Sequence, residues 1–374
     1  MVAGDAPLEN ITKSKPEQIM KLTSLQTSIL LAVAFTALTA RAKVGTLSGP
    51  FTHDNLQVFL IHGDAQLEER RYATLSVALE KKLVVIKETG NVQELTIENL
   101  SKDLTVFLNA GDIVKGGRQD RTVRDDLILT SQSGRVPLAT FCVERGRWTG
   151  RGDENPAAFS ANTKALSSRK EKLAARYGLS QSEVWSGVAE QQTKLNDNVS
   201  RLAGKSVNIR SAASESSLQL SLENKELESA KRQYLDKLNP LLDGKTDVIG
   251  FAYAINGEIN TAEVYNNKNL FRALWPKLLD AAITEAITEC SADHQFRTVK
   301  AEEIKAFFET ALSGSVAERR VWKTTRVKTF TTPTTVLFET QDLEADGVWI
   351  HKSFINKGKE TVVVPLDRGP RENR

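Results

Sequence analysis

The residue types that bear on chemistry crowd into one stretch of this chain, GDIVKGGRQDR at 111–121 and LATFCVERGRW at 138–148. Adjacent glycines such as Gly116 and Gly117 allow left-handed backbone, and consecutive N–H groups in such a turn form an anion-binding nest. Arg118, Arg121 and Arg147 offer forked donors to a phosphate or carboxylate, Gln119 adds an amide, and Trp148 offers a stacking face. From Gly111 to Arg151 there are eight basic residues, seven of them arginine, against five acidic ones, a proportion that favours planar oxyanion recognition. The competing expectation is structural. The glycine pair then turns a hairpin, Arg147 pairs with Glu144 or Asp112, and Trp148 covers a sheet edge. Geometry separates the two: a solvent-filled pocket around Gln119, Arg121, Glu144 and Arg147 marks a ligand site, whereas mutual saturation of those side chains marks a structural knot.

For catalysis the candidates are Glu144, Cys142 and Asp112. Strand alternation puts Cys142 and Glu144 on one face, as a nucleophile and an acid/base would need. A cysteine nucleophile also requires an activating base or a cationic setting, and His53, His62, His294 and His351 fall in no motif. No HxxxH, CxxC or acidic calcium loop is present, so no metal is expected, and the glycine-rich nucleotide signatures are absent. The sequence names no cofactor. Fifty basic and 47 acidic residues leave a net charge of +3, too balanced to predict a nucleic-acid partner; any anion site must be local.

The elements that position these residues are short. Strands are expected at Leu56–Ile61, Leu83–Lys87, Leu95–Ile97, Leu104–Leu108, Arg121–Leu129 and Val136–Glu144, about ten residues apart, which suits antiparallel meanders. Val123, Leu127 and Leu129 alternate with Thr122, Arg124 and Asp126, the pattern of a strand with one wet face. Ser180 and Glu183 open a helix that Gly204 closes, and a second helix is expected near 218–238. Together they form a long helical hairpin inserted at about 160–243. Strands flanking Asn256-Gly257 follow, then a helix with Pro276 inside it, a helix over Lys300–Leu312, and strands near 319–328, 335–340, 347–352 and 361–366. The fold class is α+β, an antiparallel β-rich framework with the helical hairpin and C-terminal helices. With 374 residues and 40% hydrophobic content, residues 43–366 suffice for one large domain, followed by a disordered tail at 367–374.

Met20 and Lys21 precede ILLAVAFTAL (29–38) and Ala40-Arg41-Ala42, the order of a secretory signal: a basic flank, an apolar run and a small-x-small cleavage site. The run is shorter than the roughly 20 apolar residues of a membrane span. We therefore expect residues 1–42 to be an upstream extension and signal peptide, the start to be Met1 or Met20, and the mature protein to be exported, periplasmic or extracellular, with no transmembrane span. Export permits Cys142 and Cys290 to pair, but two buried small hydrophobes is the stronger reading of them.

GDIVKGGRQDRT, SGRVPLATFCVERGRW, VWSGVAEQQTKL, GFAYAINGEINTAEVY and LFRALWPKLL, in this order, resemble the family of ADP-ribosylglycohydrolase- and rhodanese-phosphatase-superfamily-associated proteins over roughly residues 45–300. Arg118 stands where that family often has lysine, and Asp120 where some members have asparagine. The resemblance implies genomic company with ADP-ribose-related and phosphatase-like proteins, and no defined activity. The leading expectation is a binding module for a phosphorylated or otherwise anionic small molecule, ADP-ribose-like by family association, held by Gly116, Gly117, Arg118, Gln119, Arg121, Arg147 and Trp148. The alternatives are a hydrolase of such a ligand, or a cell-envelope interaction module that presents the Leu218, Leu222, Tyr234 and Leu238 stripe of the hairpin (180–238) to a protein partner.

Overall fold

The computed structural model describes residues 45–152, 154–291 and 295–358. The expected signal peptide, the strand expected at 361–366 and the expected disordered tail lie outside them. The chain enters β1 (Thr46–His53) and β2 (Leu56–His62), which pair antiparallel. Sequence reasoning missed β1 because Ser48-Gly49-Pro50 resembles a turn; it is a register shift within an edge strand, where proline is tolerated. There follow β3 (Tyr72–Thr74), α1 (Leu75–Glu80), β4 (Val84–Glu88), β5 (Glu94–Asn99), β6 (Thr105–Leu108), β7 (Asp112–Gly116), β8 (Arg121–Val123), β9 (Leu127–Leu129), β10 (Arg135–Cys142) and β11 (Phe159–Leu166).

The single strand expected over Arg121–Leu129 is in fact two: β8 joins a six-stranded sheet ordered β11-β7-β8-β10-β5-β4, and β9 a three-stranded one ordered β3-β6-β9. Its supposed wet face is buried, with Thr122 and Asp126 almost wholly removed from solvent. Alternation cannot tell a solvated face from a buried one whose polar groups are paired. The six-stranded sheet bends at β10, whose first half, Arg135–Ala139, pairs with β5 and whose second, Thr140–Cys142, pairs with β8. Its inner face is a separate core of Val84, Ile86, Leu95, Ile97, Val136 and Leu138, capped by Leu75 and Ala78 of α1.

The expected insertion begins later than residue 160, because β11 occupies 159–166. It opens with α2 (Arg169–Lys172), whose Ser168 and Glu171 form a capping box, and continues directly into a π-helical turn, Leu173–Tyr177. Next comes α3 (Gln181–Ala203), with Ser180 accepting from the Glu183 N–H and Gly204 left-handed at its end (φ 63°). The second arm is broken into α4 (Leu218–Leu222) and α5 (Lys225–Leu238) because the Asn224 side chain caps a new helix there. The Leu218, Leu222, Tyr234 and Leu238 stripe is 0–5% exposed and packs into the main core. A partner helix cannot reach it.

β12 (Val248–Ile255) and β13 (Glu258–Tyr265) form the hairpin through Asn256-Gly257, whose φ values of 52° and 75° suit its tight turn. Then come α6 (Lys268–Thr288), which runs through Pro276 without interruption, α7 (Ala301–Leu312), and β14 (Ser315–Trp322), β15 (Thr325–Thr331), β16 (Thr335–Asp342) and β17 (Val348–Asn356). These complete an eight-stranded sheet ordered β1-β2-β12-β13-β17-β16-β15-β14. Among the described residues every strand pairing except β3 with β6 is antiparallel, so the class is α+β. Successive residues of β2 feed opposite layers. Leu56, Val58 and Leu60 meet α3, α5 and α6 on one face, while Phe59 and Ile61 meet Ile304, Phe307 and Phe308 on the other.

Candidate functional site

Asp112, Cys142 and Glu144 lie on or just beyond strands of the six-stranded sheet, and Gly116 to Asp120 form the turn between β7 and β8. The glycines are required there. A Cβ on Gly116 (φ 116°) would lie 2.7 Å from the Ala158 carbonyl oxygen, and one on Gly117 (φ 55°) 2.1 Å from Phe159 Cζ. Their N–H groups already have acceptors: Gly116 donates to Asp120 Oδ1 (2.9 Å), Gly117 to the Ala158 carbonyl (2.9 Å) and Arg118 to Glu88 Oε1 (2.8 Å).

The charged side chains close on one another in the same way. Asp120, fully buried, receives Arg151 through both guanidinium tips (2.7 and 2.9 Å) and the Ser217 hydroxyl (2.7 Å). Glu144 accepts Arg147 Nε (2.7 Å) and the Asp120 N–H (3.0 Å), while Arg147 also donates to the Gly117 carbonyl (3.0 Å). Burial alone would raise the Glu144 carboxyl, but hydrogen bonds from Arg147 and Ser214 bring it below the usual range. Gln119 donates to the Glu144 carbonyl (2.9 Å) and accepts the Cys142 thiol (3.1 Å). The two motifs thus form a clasp that fastens the β7–β8 turn to the chain after β10 and to the start of α4. Of the seven residues singled out for ligand contact, Arg118 and Trp148 are exposed, Trp148 at 47%.

Arg121 differs from its neighbours. It is 0% exposed, donates through Nη1 to the Gln119 carbonyl (2.9 Å), and among the described residues leaves Nε and Nη2 without a hydrogen-bond partner. The carboxylate closest in charge contact is Glu88, 3.8 Å from Nη2.

Beside the clasp, β4 and β11, the two terminal strands of the six-stranded sheet, wall a groove of about 670 Å³. Its lining is mostly apolar, with Leu79, Val85, Ile86, Ala158 and Phe159. The Leu100 N–H to Leu83 carbonyl bond sets the phase of the β4–β5 ladder, so Val84, Ile86 and Glu88 turn their main-chain groups away from β5. Glu88 ends the groove, and through it the Arg118 turn and Arg121 adjoin it.

A second cluster gave no sequence motif because its members lie far apart in the chain. His351 on β17 places Nδ1 2.8 Å from Asp126 Oδ2 and Nε2 2.9 Å from Glu263 Oε2. Both ring nitrogens must then donate, which requires the imidazolium. Burial by itself lowers an imidazole, but the two carboxylates hold His351 above its ordinary value. The π-helical turn aims Arg176 at Asp126 (3.2 Å), Lys172 just before it reaches Glu263 (2.9 Å), and the Tyr265 ring stacks on His351 at 4.2 Å. Nearby, Lys277 pairs with Asp112, whose other oxygen takes the Asn109 N–H (2.8 Å). The only sign in the sequence was polar residues at strand positions otherwise apolar, such as Glu263 and His351.

The catalytic candidates are therefore engaged. Burial pushes the Cys142 thiol up to about 11, opposite to the shift that makes a nucleophile. Cys142 and Cys290 are free thiols, both buried. Among the described residues no three His, Cys, Asp or Glu side chains are grouped to hold a metal ion, and no helix is long and apolar enough to cross a membrane.

No curated protein and no solved structure matches the chain. A family model matches residues 45–355, that of the ARG and Rhodanese-Phosphatase-superfamily-associated Protein domain, and the chain belongs to this family.

Proposed function

We propose that this family member is a binding module that takes an extended, acidic peptide segment into the groove between β4 and β11. The observation that carries the reading is the groove itself, apolar in lining and bordered by two strands that each end a sheet. Unpaired strand edges supply main-chain donors and acceptors that a peptide strand satisfies, while the wall takes alternate side chains. The groove's own charges balance, Lys82 and Lys87 against Glu80 and Glu88, so the exposed Arg118 at its end supplies the preference for an anionic group. The clasp, on this reading, holds the turn that carries Arg118 and keeps Phe159 against Gly117. The apolar run at 29–38 followed by Ala-Arg-Ala supports a ligand met outside the cytoplasm.

The test is selection from a displayed library of linear peptides of about ten residues, followed by calorimetry on the enriched sequences. Enriched peptides are expected to alternate apolar residues and carry an acidic one, to lose about tenfold in affinity to Arg118→Glu, and to fail to bind Ala158→Trp, which fills the groove. Peptides that bind Ala158→Trp as tightly as the parent overturn the reading. Titration of ADP-ribose and sugar phosphates beside them distinguishes a small anionic ligand: affinity for those compounds that depends on Arg118, with no peptide enriched, would replace the peptide.

A further inference from the structure

Away from the clasp and the groove, a small polar pocket of about 130 Å³ lies between the Ser168–Glu171 turn, α3 and the C-terminal end of α6. For scale, a cavity of about 150 Å³ holds a benzene molecule. Two of its lining side chains each keep a buried oxygen that has no partner among the described residues. Glu171 is 0% exposed; its Oε2 accepts the Ser168 N–H (2.6 Å) and the Ser168 hydroxyl, while Oε1 accepts nothing. Gln191, 6% exposed, likewise leaves Oε1 unpartnered. Gly187 forms the wall against Glu171: a Cβ there would lie 3.4 Å from Glu171 Oε1. The second buried carboxyl, Glu285, already accepts from Tyr253 Oη (2.9 Å) and from the Arg169 N–H.

Buried acceptors without donors are costly, so a ligand that fits must donate hydrogen bonds. Charge narrows it further. The lining holds three cations, Arg169, Lys170 and Lys194, against four carboxyls, Glu171, Glu190, Glu285 and Glu289. The rim cations are engaged, Lys170 with Glu190 (2.5 Å), Lys194 with Glu190 (3.0 Å) and Glu289 (2.8 Å), and Arg169 Nη1 with the Asn356 carbonyl (2.8 Å). With all four carboxyls ionised, one positive charge completes the balance.

We propose that this pocket is a binding site for a compact organic cation with several N–H donors, a guanidinium or a primary ammonium group, received by Glu171 Oε1 and Gln191 Oε1. The cation would sit on the inner side of Glu171, with Gly187 leaving room for its approach. Burial, with the Glu285 charge adding to it, pushes the Glu171 carboxyl up to about 7 against the Ser168 hydrogen bonds and Lys170; burial raises Glu285 as well, against Arg169, Tyr253 and Lys172. A cation at Glu171 favours the carboxylate, so binding near neutral pH expels a proton.

Calorimetric titration of the intact chain with methylguanidinium, at about pH 6 and about pH 8.5 in buffers of different ionisation enthalpy, reads both consequences. Expected are saturable binding, proton release at the lower pH that disappears at the higher, and binding about tenfold weaker in Glu171→Gln. Gly187→Ala, which should keep α3 folded because alanine is the better helix former, is expected to weaken binding by a similar factor. Tetramethylammonium, a cation without donors, should bind at least about tenfold more weakly. No heat from either methylguanidinium or methylammonium, equal binding of tetramethylammonium, or undiminished binding by both variants would each overturn the proposal and leave the pocket to water.

Discussion

Replacing His351 tests the buried charge cluster directly. In His351→Gln, Asp126 and Glu263 lose the imidazolium between them; Arg176 and Lys172 remain, at 3.2 and 2.9 Å. Two charge-assisted hydrogen bonds disappear, each contributing about 1.5–3 kcal/mol, and removing one partner of a buried ion pair costs about 3–5 kcal/mol. We expect a loss of about 4 kcal/mol in urea unfolding followed by tryptophan fluorescence. The pH dependence carries the sign. The His351 pKa is raised, so its contribution is complete below the unfolded value of about 6.5 and is lost as pH rises through the folded value. Glu263 is depressed to about 2: burial opposes this, and Lys172 and His351 overcome it. Asp126 is depressed too, by His351 and Arg176 against burial. Their contributions are complete above the usual carboxylate range and lost as pH falls. The gap between parent and variant should therefore be widest at about pH 5–6.5 and narrow in alkali. A gap below about 1 kcal/mol, or one that widens from pH 6 to 9, would refute the imidazolium assignment.

Asp120→Asn should cost about 3 kcal/mol in the same assay, since among the described residues Arg151 keeps as carboxylate partners only Glu154 and the more distant Glu144; a change under about 0.5 kcal/mol would mean the clasp holds nothing together. Neither thiol should react with a disulfide reagent in the native protein at pH 8, and both should react after unfolding; native labelling of Cys142 would contradict its burial beside Gln119. Leu227→Ala, at a fully buried position of α5, should destabilise by about 2–4 kcal/mol. The same substitution with stability unchanged would return the hairpin to the role of a docking surface.

Local pattern was enough for elements whose signals are local. Ser180 with Glu183, Gly204, and Asn256-Gly257 each mark a boundary through their own main-chain chemistry, and the structure uses all three as such. The clasp was legible as a concentration of residues but not as a closed set, because Arg151, Ser217 and Ala158, which saturate it, lie outside the motif or in segments with no signal. His351 was illegible for a sharper reason: its partners are 225 and 88 residues away, and a histidine alternating with apolar residues carries no sign of what it faces. The β4–β11 groove could not be foreseen either, since β11 gave no strand signal and the bend at β10 depends on its change of partner.

The place of β2 in the large sheet has a consequence during synthesis. Its six residues Leu56–Ile61 are buried on both faces, yet its inner neighbour β12 begins only at Val248, some 186 residues beyond its end. At about 5–20 residues per second, a ribosome needs roughly 10–40 s to deliver that neighbour. Throughout that interval a segment apolar at five of its six positions waits with one edge and both faces uncovered, so newly made chains should depend on a holding chaperone in proportion to how slowly residues 63–255 are translated.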